Sequence, residues 1–374
     1  MSPNIALSPQ AANALRELLR GPATRPELSG ALRVTKQTVS LAVAELEGRM
    51  LAEARAVQQG ALGRSAIQYG LHSAAGWVAG IDLGSARLRV AATRLDGTVI
   101  GDRIKTIAER TAQGRWDDYV TVASGLLAQM EGSLVASHGP LLGVGLAIPA
   151  PVRAEEQLLP STRDGGSLTA PMVLGKLSPR PVWAENDVSC EALAQPPSAS
   201  AGDATVLHLH VGIGVGLAFV VNGRLIRGAR GRAGEIRDLP APVTGRGSSL
   251  ELSIGAGGLL AAAGHSPGAR LSGAIDDLFA AAAVGDPAAE HAIAQEADSV
   301  SVLVRQLVTI LDPDVVVLSG QLAGRTDLSG LIADRCLRSG LAAPVIVDPL
   351  GDAAAVLGAA GVARDGVLAL LAPK

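Results

Sequence analysis

The chain has 374 residues, more than one ordinary domain needs and enough for two or three. Hydrophobic residues make up 48% and aromatic residues 2%, so the core is expected to be built from Ala, Val, Leu and Ile, and recognition by aromatic stacking is disfavoured. The net charge of −3 argues against a generally basic nucleic-acid coat, yet residues 1–75 hold eight Lys/Arg and five Asp/Glu, a local +3 that leaves −6 for the remainder. Cys190 and Cys336 stand far apart without a partner motif, which excludes a disulfide scaffold and a cysteine-based zinc site. The opening MSPNIALSPQ lacks a charged leader followed by an apolar core, and apolar runs are broken by glycine. A cytoplasmic protein without membrane contact is expected.

The front reads as three short helices and a hairpin. In SPQAANALRELLRG, Ser8 is an N-cap, Pro9 the first helical residue, and Leu15, Leu18 and Leu19 the apolar stripe that Gly21 ends. Thr24 and Glu27 have the spacing of a capping box. Thr35 then caps a third helix, KQTVSLAVAELEGRM, with Val39, Val43 and Leu46 facing inward and Lys36, Gln37 and Ser40 facing out. Two short helices, a tight turn and a third helix make a helix-turn-helix, which sets the first residues of its last helix on base edges. Gln37 is placed to read adenine, and Thr35, Lys36, Thr38 and Ser40 to meet phosphate or bases. The following LAEARAVQQGALGRSAIQYGL reads as two strands around a tip with Gly60, Gly63 and Arg64, a wing whose Arg64 suits a minor groove or a phosphate. The bland alternative is a small helical bundle.

The body repeats one pattern. WVAGIDLGSARLRVAATRLDGTVI reads as strand, glycine turn, strand, Asp-Gly turn, strand. TVLHLHVGIGVGLAFVVNGRLI repeats it with Asn222-Gly223 as the second turn. Two copies imply two lobes whose glycine turns face one cleft. LLGVGLAIPAPV, PVWAEND and DPDVVVLSG read as further strands, and residues 117–137, 289–311 and the Ala-rich end as helices. His208 and His210 alternate on one strand and point the same way; packing is the favoured reading over a metal pair. In AGEIRDLPAPVTGRGSSLE, Glu235, Asp238 and Glu251 form a group of acids that suits catalysis, hydroxyl binding or simple solvation.

With these motifs in order, the chain resembles the ROK family, the repressors and sugar kinases of the actin-like ATPase superfamily. GIDLG, IPAPV, ENDVSCEAL, NGRLIRGARGRAGEI, LDPDVVVLSGQL and DAAAVLGAAGVA carry the resemblance over nearly the whole chain. It implies an α/β fold: an N-terminal winged helix-turn-helix over 1–75 and a two-lobed actin-like domain over 76–374. The first lobe would take about 76–195 with the C-terminal helix 352–374, and the second about 196–351. It also implies a sugar site of Asn186, Asp187, Glu235, Asp238 and Glu251, with Asp187 at the position of the catalytic base.

The departures shape the functional expectation. Gly84, Ser85 and Ala86 stand where family kinases have Gly-Gly-Thr, and Ile213 replaces the Thr between Gly212 and Gly214, so both phosphate loops lose a hydroxyl. Ser319 precedes Gly320 in place of the usual first Gly. The zinc ligands map to Asp238, Pro242, Thr244 and Ser249, and the prolines would supply the stiffness of the missing metal. No metal, no cofactor and no catalytic residue are expected. The expectation is a repressor that binds a palindromic operator as a homodimer or tetramer and answers to a sugar effector, with Gly70 to Gly80 as the coupling segment. A sugar kinase with an attached DNA reader, and a DNA-binding protein whose body only dimerises, are the alternatives.

Overall fold

A computed structural model describes residues 6–59, 65–84, 87–106, 116–152, 178–195, 204–240, 249–264 and 271–372. Arg64, Gly60 and Gly63 of the hairpin tip, Ser85 and Ala86, and Pro242 and Thr244 lie outside them. Contacts divide the chain into two units: 1–148, 157–185 and 359–374, and 149–156 with 186–358.

In the first unit, α1 (Pro9–Arg20), α2 (Arg25–Leu32) and α3 (Lys36–Gly48) begin at the expected caps. Ser8 Oγ accepts from the Ala11 amide, the Thr24–Glu27 capping box is complete, and Thr35 accepts from the Thr38 amide. Between α2 and α3 the chain turns at Arg33, a left-handed residue whose N–H meets the Gly30 and Ser29 carbonyls. A two-residue strand β1 (Ala23–Thr24), which the sequence reading passed over, pairs with β3 (Ser65–Leu71), and β3 pairs antiparallel with β2 (Ala52–Gln59). The front is therefore three helices with a three-stranded sheet, in an order consistent with a helix-turn-helix.

The front does not keep a core to itself. Leu15, Leu28, Val39, Val43, Leu46 and Tyr69 share one apolar cluster with Val78, Leu95, Ala363 and Val367. The Leu7 amide donates to the Leu371 carbonyl at 2.7 Å. The boundary expected at residue 75 is thus not a break in packing. The segment Gly70 to Gly80 runs from the end of β3 through a turn at residues 72–76 into the next strand.

Behind the front lies a five-stranded sheet of order β6-β5-β4-β7-β8. Its strands are β4 (Trp77–Leu83), β5 (Arg87–Arg94), β6 (Val99–Thr106), β7 (Leu141–Ile148) and β8 (Val182–Asn186), accompanied by the helix α4 (Trp116–His138).

The second unit repeats the sheet as β11-β10-β9-β12-β13, formed by β9 (Thr205–Val211), β10 (Val215–Val221), β11 (Arg224–Leu225), β12 (Val315–Ser319) and β13 (Val345–Val347). In both sheets the first strand pairs antiparallel with the second and parallel with the fourth. One face packs on α6 (Leu250–Ser253), α7 (Ala256–Ala262), α8 (Leu271–Ala283), α9 (Pro287–Leu311) and α11 (Thr326–Arg338), through Leu207, Leu209, Val316, Leu318, Leu259, Val300 and Leu328. The other face packs on α5 (Asp187–Ala194) through Val188 and Ala192 against Val206, Ala218 and Val317. A short helix, α10 (Gly320–Ala323), follows β12. The assignment of residues 187–194 to the first lobe is corrected: burying Val188 and Ala192 on the second sheet outweighs their nearness in sequence to β8.

The final helix α12 (Ala354–Leu371) gives its first residues to the second unit and the rest to the first. A Cβ on Gly145 would overlap the Ala359 carbonyl, and one on Gly358 the Cys190 carbonyl, so these glycines permit close backbone approach. The span Gly351–Leu371 is long and apolar enough to cross a membrane by length and composition, though Gly358, Gly361 and Gly366 interrupt it as expected and it carries Arg364 and Asp365. Ala354, Val356, Ala359, Ala360, Ala363 and Val367 on it are buried inside the protein.

Candidate functional site

The acids proposed from sequence lie in the second unit. Asn186 caps α5, its side chain accepting from the Ser189 amide at 3.0 Å while Nδ2 donates to Asp187 Oδ1 at 3.1 Å. The Val188 amide also donates to Asp187 Oδ1, at 2.9 Å. Asp187 is thus the first residue of the helix and a fixed carboxylate, while the cap is Asn186. Burial pushes its carboxyl up to about 6; His210 opposes this and Glu191 adds to it.

The glycine turn Gly212–Gly214 sits at the end of β9, closed by a hydrogen bond from the Gly212 amide to the Gly214 carbonyl at 2.9 Å. The Ala256 amide ties α7 to it through the Gly212 carbonyl, and a Cβ on Gly214 would lie 3.2 Å from Glu251 Oε1. Glu251 therefore stands beside this turn. Next to it, the Gly255 amide donates to the buried Glu296 carboxylate at 2.7 Å, which fixes the start of α7.

Arg237 organises the remaining acids. Its Nη2 is 2.9 Å from Glu251 Oε2, its Nε is 3.7 Å from Asp238 Oδ1, and its carbonyl accepts from the Glu251 amide at 3.1 Å. Arg237 Nε is buried yet makes no hydrogen bond. Burial raises the Glu235 carboxyl, against the pull of Arg232 and Arg237. Gly234 holds φ +91° where a Cβ would overlap the Leu217 carbonyl, so the Gly-Glu pair packs against β10. Asp238 points outward with its side chain 78% exposed, the weakest member of the expected set. The arrangement offers carboxylate acceptors and a guanidinium donor, the groups that bind vicinal hydroxyls.

The zinc implied by the resemblance does not fit this segment. Of the mapped positions, Asp238 is an exposed carboxylate and Ser249 a hydroxyl, and neither Pro242 nor Thr244 carries a thiolate or imidazole.

Sequence reasoning missed a buried polar cluster beneath the site. His208 and His210 project from β9 toward α5, and Ser319 from β12 toward the same face, one helix turn from Asp187 where Glu191 lies. Glu191 Oε2 accepts from Ser319 Oγ at 2.7 Å and lies 3.1 Å from His208 Nε2; His210 Nδ1 is 3.1 Å from both Glu191 oxygens. Asp348 Oδ2 accepts from Gln195 Nε2 at 3.0 Å and stands 3.9 Å from His208 Nε2. Burial alone would raise the Glu191 carboxyl, but His210 and His208 outweigh it and hold the group well below its usual range. His208 Nδ1 and Gln195 Oε1 are buried without a hydrogen-bond partner. His210 Nε2 reaches the site: a Cβ on Gly212 or Gly320 would lie 2.9 or 3.0 Å from it. The signal for this cluster was the alternation of His208 and His210 together with Glu191 four residues after Asp187.

At the front, Lys36 and Gln37 are exposed at the start of α3. Thr35 and Thr38 are only partly available, since their hydroxyls pair at 2.8 Å, and Ser40 Oγ donates to the Lys36 carbonyl at 2.9 Å.

The ROK family pattern matches residues 78–366. The xylose repressor of Bacillus subtilis (strain 168) is 22% identical over 225 residues, 59% of this chain and 58% of its own length. The chain therefore matches little more than half of that relative. A ROK family transcriptional regulator homologous to the E. coli MLC protein superposes with a TM-score of 0.75 at 19% identity, covering 97% of both chains. A ROK hexokinase from Thermus thermophilus gives 0.59 at 26% identity, covering 78% of this chain and 99% of its own.

Proposed function

The chain belongs to the ROK family, and from that premise we propose that it is a DNA-binding transcriptional regulator, a repressor, controlled by a sugar or sugar derivative. The observation that carries this reading is the front. The hexokinase accounts for 78% of the chain and the regulator for 97%. The difference is the size of the three-helix front, which carries an exposed helix start and a pair of strands that we read as a wing. Thr35, Lys36, Gln37, Thr38, Ser40 and Arg64 are its proposed DNA contacts. The local +3 of residues 1–75 favours phosphate.

The effector site consists of Asn186, Asp187, Glu235 and Glu251, with Asp238 at its rim and Arg237 added by the structure. Sugar hydroxyls would donate to the acids and accept from Arg237. The protein acts in the cytoplasm as a homodimer or tetramer on a palindromic operator, because a two-fold protein selects two-fold DNA. The test is recovery of a specific sequence from random duplex DNA by the full chain, followed by titration of that complex with a panel of sugars and sugar phosphates. Enrichment of a palindrome whose binding one sugar changes supports the reading. Failure to enrich any sequence rejects it.

A sugar kinase is the second reading, favoured by one observation: Asp187 sits at the base position with its carboxyl raised to about 6, nearer the pH at which a general base works. Phosphate transfer from ATP and Mg²⁺ to a sugar, abolished by Asp187→Asn, would establish it. Against it, Ile213 offers phosphate no hydroxyl, which leaves only backbone N–H groups in the second loop.

A further inference from the structure

We infer that Leu41 reads a thymine methyl group in the major groove, about one to two base pairs from the base met by Gln37. The inference rests on the DNA-reading function proposed above and assigns part of its specificity.

The buried side of α3 is Val39, Ala42, Val43 and Leu46. Leu41 lies on the opposite side, 68% exposed, and is not an overflow of the core. At 100° per residue, the centre of the outward face is Gln37, Leu41, Ala44 and Gly48, with Gln37, Leu41, Ala44 and Gly48 all exposed. That centre carries no charge, whereas a helix that merely faces water would place charged residues there. The charges stand at the flanks: Arg33 just before the helix and Lys36 at its start are exposed, positioned for phosphates, while Glu45, held by Ser8 and Arg49, and exposed Glu47 border its C-terminal half.

The hydroxyls of Thr35, Thr38 and Ser40 each hold a partner on the helix, which directs them to phosphates rather than base edges. Thr35 and Thr38 bond each other at 2.8 Å, and Ser40 Oγ bonds the Lys36 carbonyl at 2.9 Å. What remains outward is an amide, an isobutyl group and two small residues that let a groove floor come close. In the major groove the apolar group a base presents is the C5 methyl of thymine, and a Gln amide suits adenine. Gln37 and Leu41 are one turn apart, about 6 Å along the axis, against about 3.4 Å per base step.

The experiment uses the full chain and the duplex selected from random DNA. Each thymine is replaced in turn by deoxyuridine, which removes the methyl and leaves the pairing unchanged. At one position per half-site the unaltered chain is expected to lose about 4-fold in affinity, the equivalent of one buried carbon. Leu41→Ala should bind thymine DNA about as weakly as the unaltered chain binds uracil DNA, and show no further loss on substitution. Gln37→Ala should keep the methyl dependence and relax a neighbouring base. An unaltered melting temperature for Leu41→Ala shows that the fold is intact, as its exposure requires. Indifference to uracil at every position, or the same thymine preference in Leu41→Ala, overturns the inference. Failure to select any sequence removes the DNA-reading function beneath it.

Discussion

The two five-stranded sheets have the same strand order and nearly the same burial along their first strands, yet they differ in polarity. In β4, Trp77, Val78, Ala79, Gly80 and Ile81 are buried and Asp82 is the partly exposed residue two before Gly84. In β9, Val206, Leu207, His208 and Leu209 are buried and His210 is the partly exposed residue two before Gly212. The backbone pattern is shared, so it is set by strand pairing and turns. The chemistry is not shared: the second sheet places two imidazoles on the face toward α5, and Glu191 answers them. A repeated fold thus decides where a strand ends in a glycine turn, and single side chains decide what that turn can bind.

The comparison breaks most sharply at Glu191. Glu191→Ala should cost about 3–5 kcal/mol in urea unfolding, because His208, His210 and Ser319 would lose their common acceptor inside the protein. Making the second sheet resemble the first, with Glu191→Leu and His208→Leu together, should recover much of that loss. A cost for the double variant equal to that of Glu191→Ala would show that the cluster is needed as a whole.

Next in size are Gly145, which faces α12, and Gly358 within α12. Gly145→Ala and Gly358→Ala should each lower stability by about 1–3 kcal/mol, since a Cβ would meet a backbone carbonyl in both. Gly132→Ala, exposed in α4 with open space around it, should instead raise stability by about 1 kcal/mol or less.

The pH dependence separates two neighbours on one helix. Asp187 holds a raised pKa, so the fold gains a proton that the unfolded chain lacks, and stability falls as pH rises from about 3.8 to about 6. Asp187→Asn should therefore melt higher than the unaltered chain above pH 6 and match it below pH 4. Glu191 holds a lowered pKa, so its contribution is complete above 4.5 and is lost as pH falls. Glu191→Gln should be costly at pH 7 and progressively less so in acid. The same sign for both variants would contradict the arrangement of charges around His210.

The smallest effect is expected at the acid group. Arg237→Gln should change stability by less than about 1 kcal/mol, because the Arg237–Glu251 pair is partly exposed. Its larger consequence should appear in sugar-induced melting shifts, which must weaken if Arg237 contacts the effector.

The elements that could be read from sequence were those governed by local chemistry. Ser8, Thr24 and Thr35 declared three helix starts because a cap and its amide lie within three residues. Asn222 and Gly223, both at positive φ, declared a hairpin turn, and the alternation in TVLHLHV declared a strand with both imidazoles on one side. Asn186, Asp187, Glu235, Asp238 and Glu251 were named from motifs that resemble the family's, and their role in binding stays a proposal.

Long-range partners were decided by tertiary structure alone. Glu191 lies 128 residues from Ser319, and nothing near either residue announces the other. Arg237 becomes the partner of Glu251 only in the folded chain, and α5 joins the second sheet because its apolar face is buried there. Local hydrogen bonds and hydrophobic periodicity act over a few residues and are written in order along the chain. Pairing of buried charges depends on which faces meet across a sheet, and that is settled by burial of the whole unit.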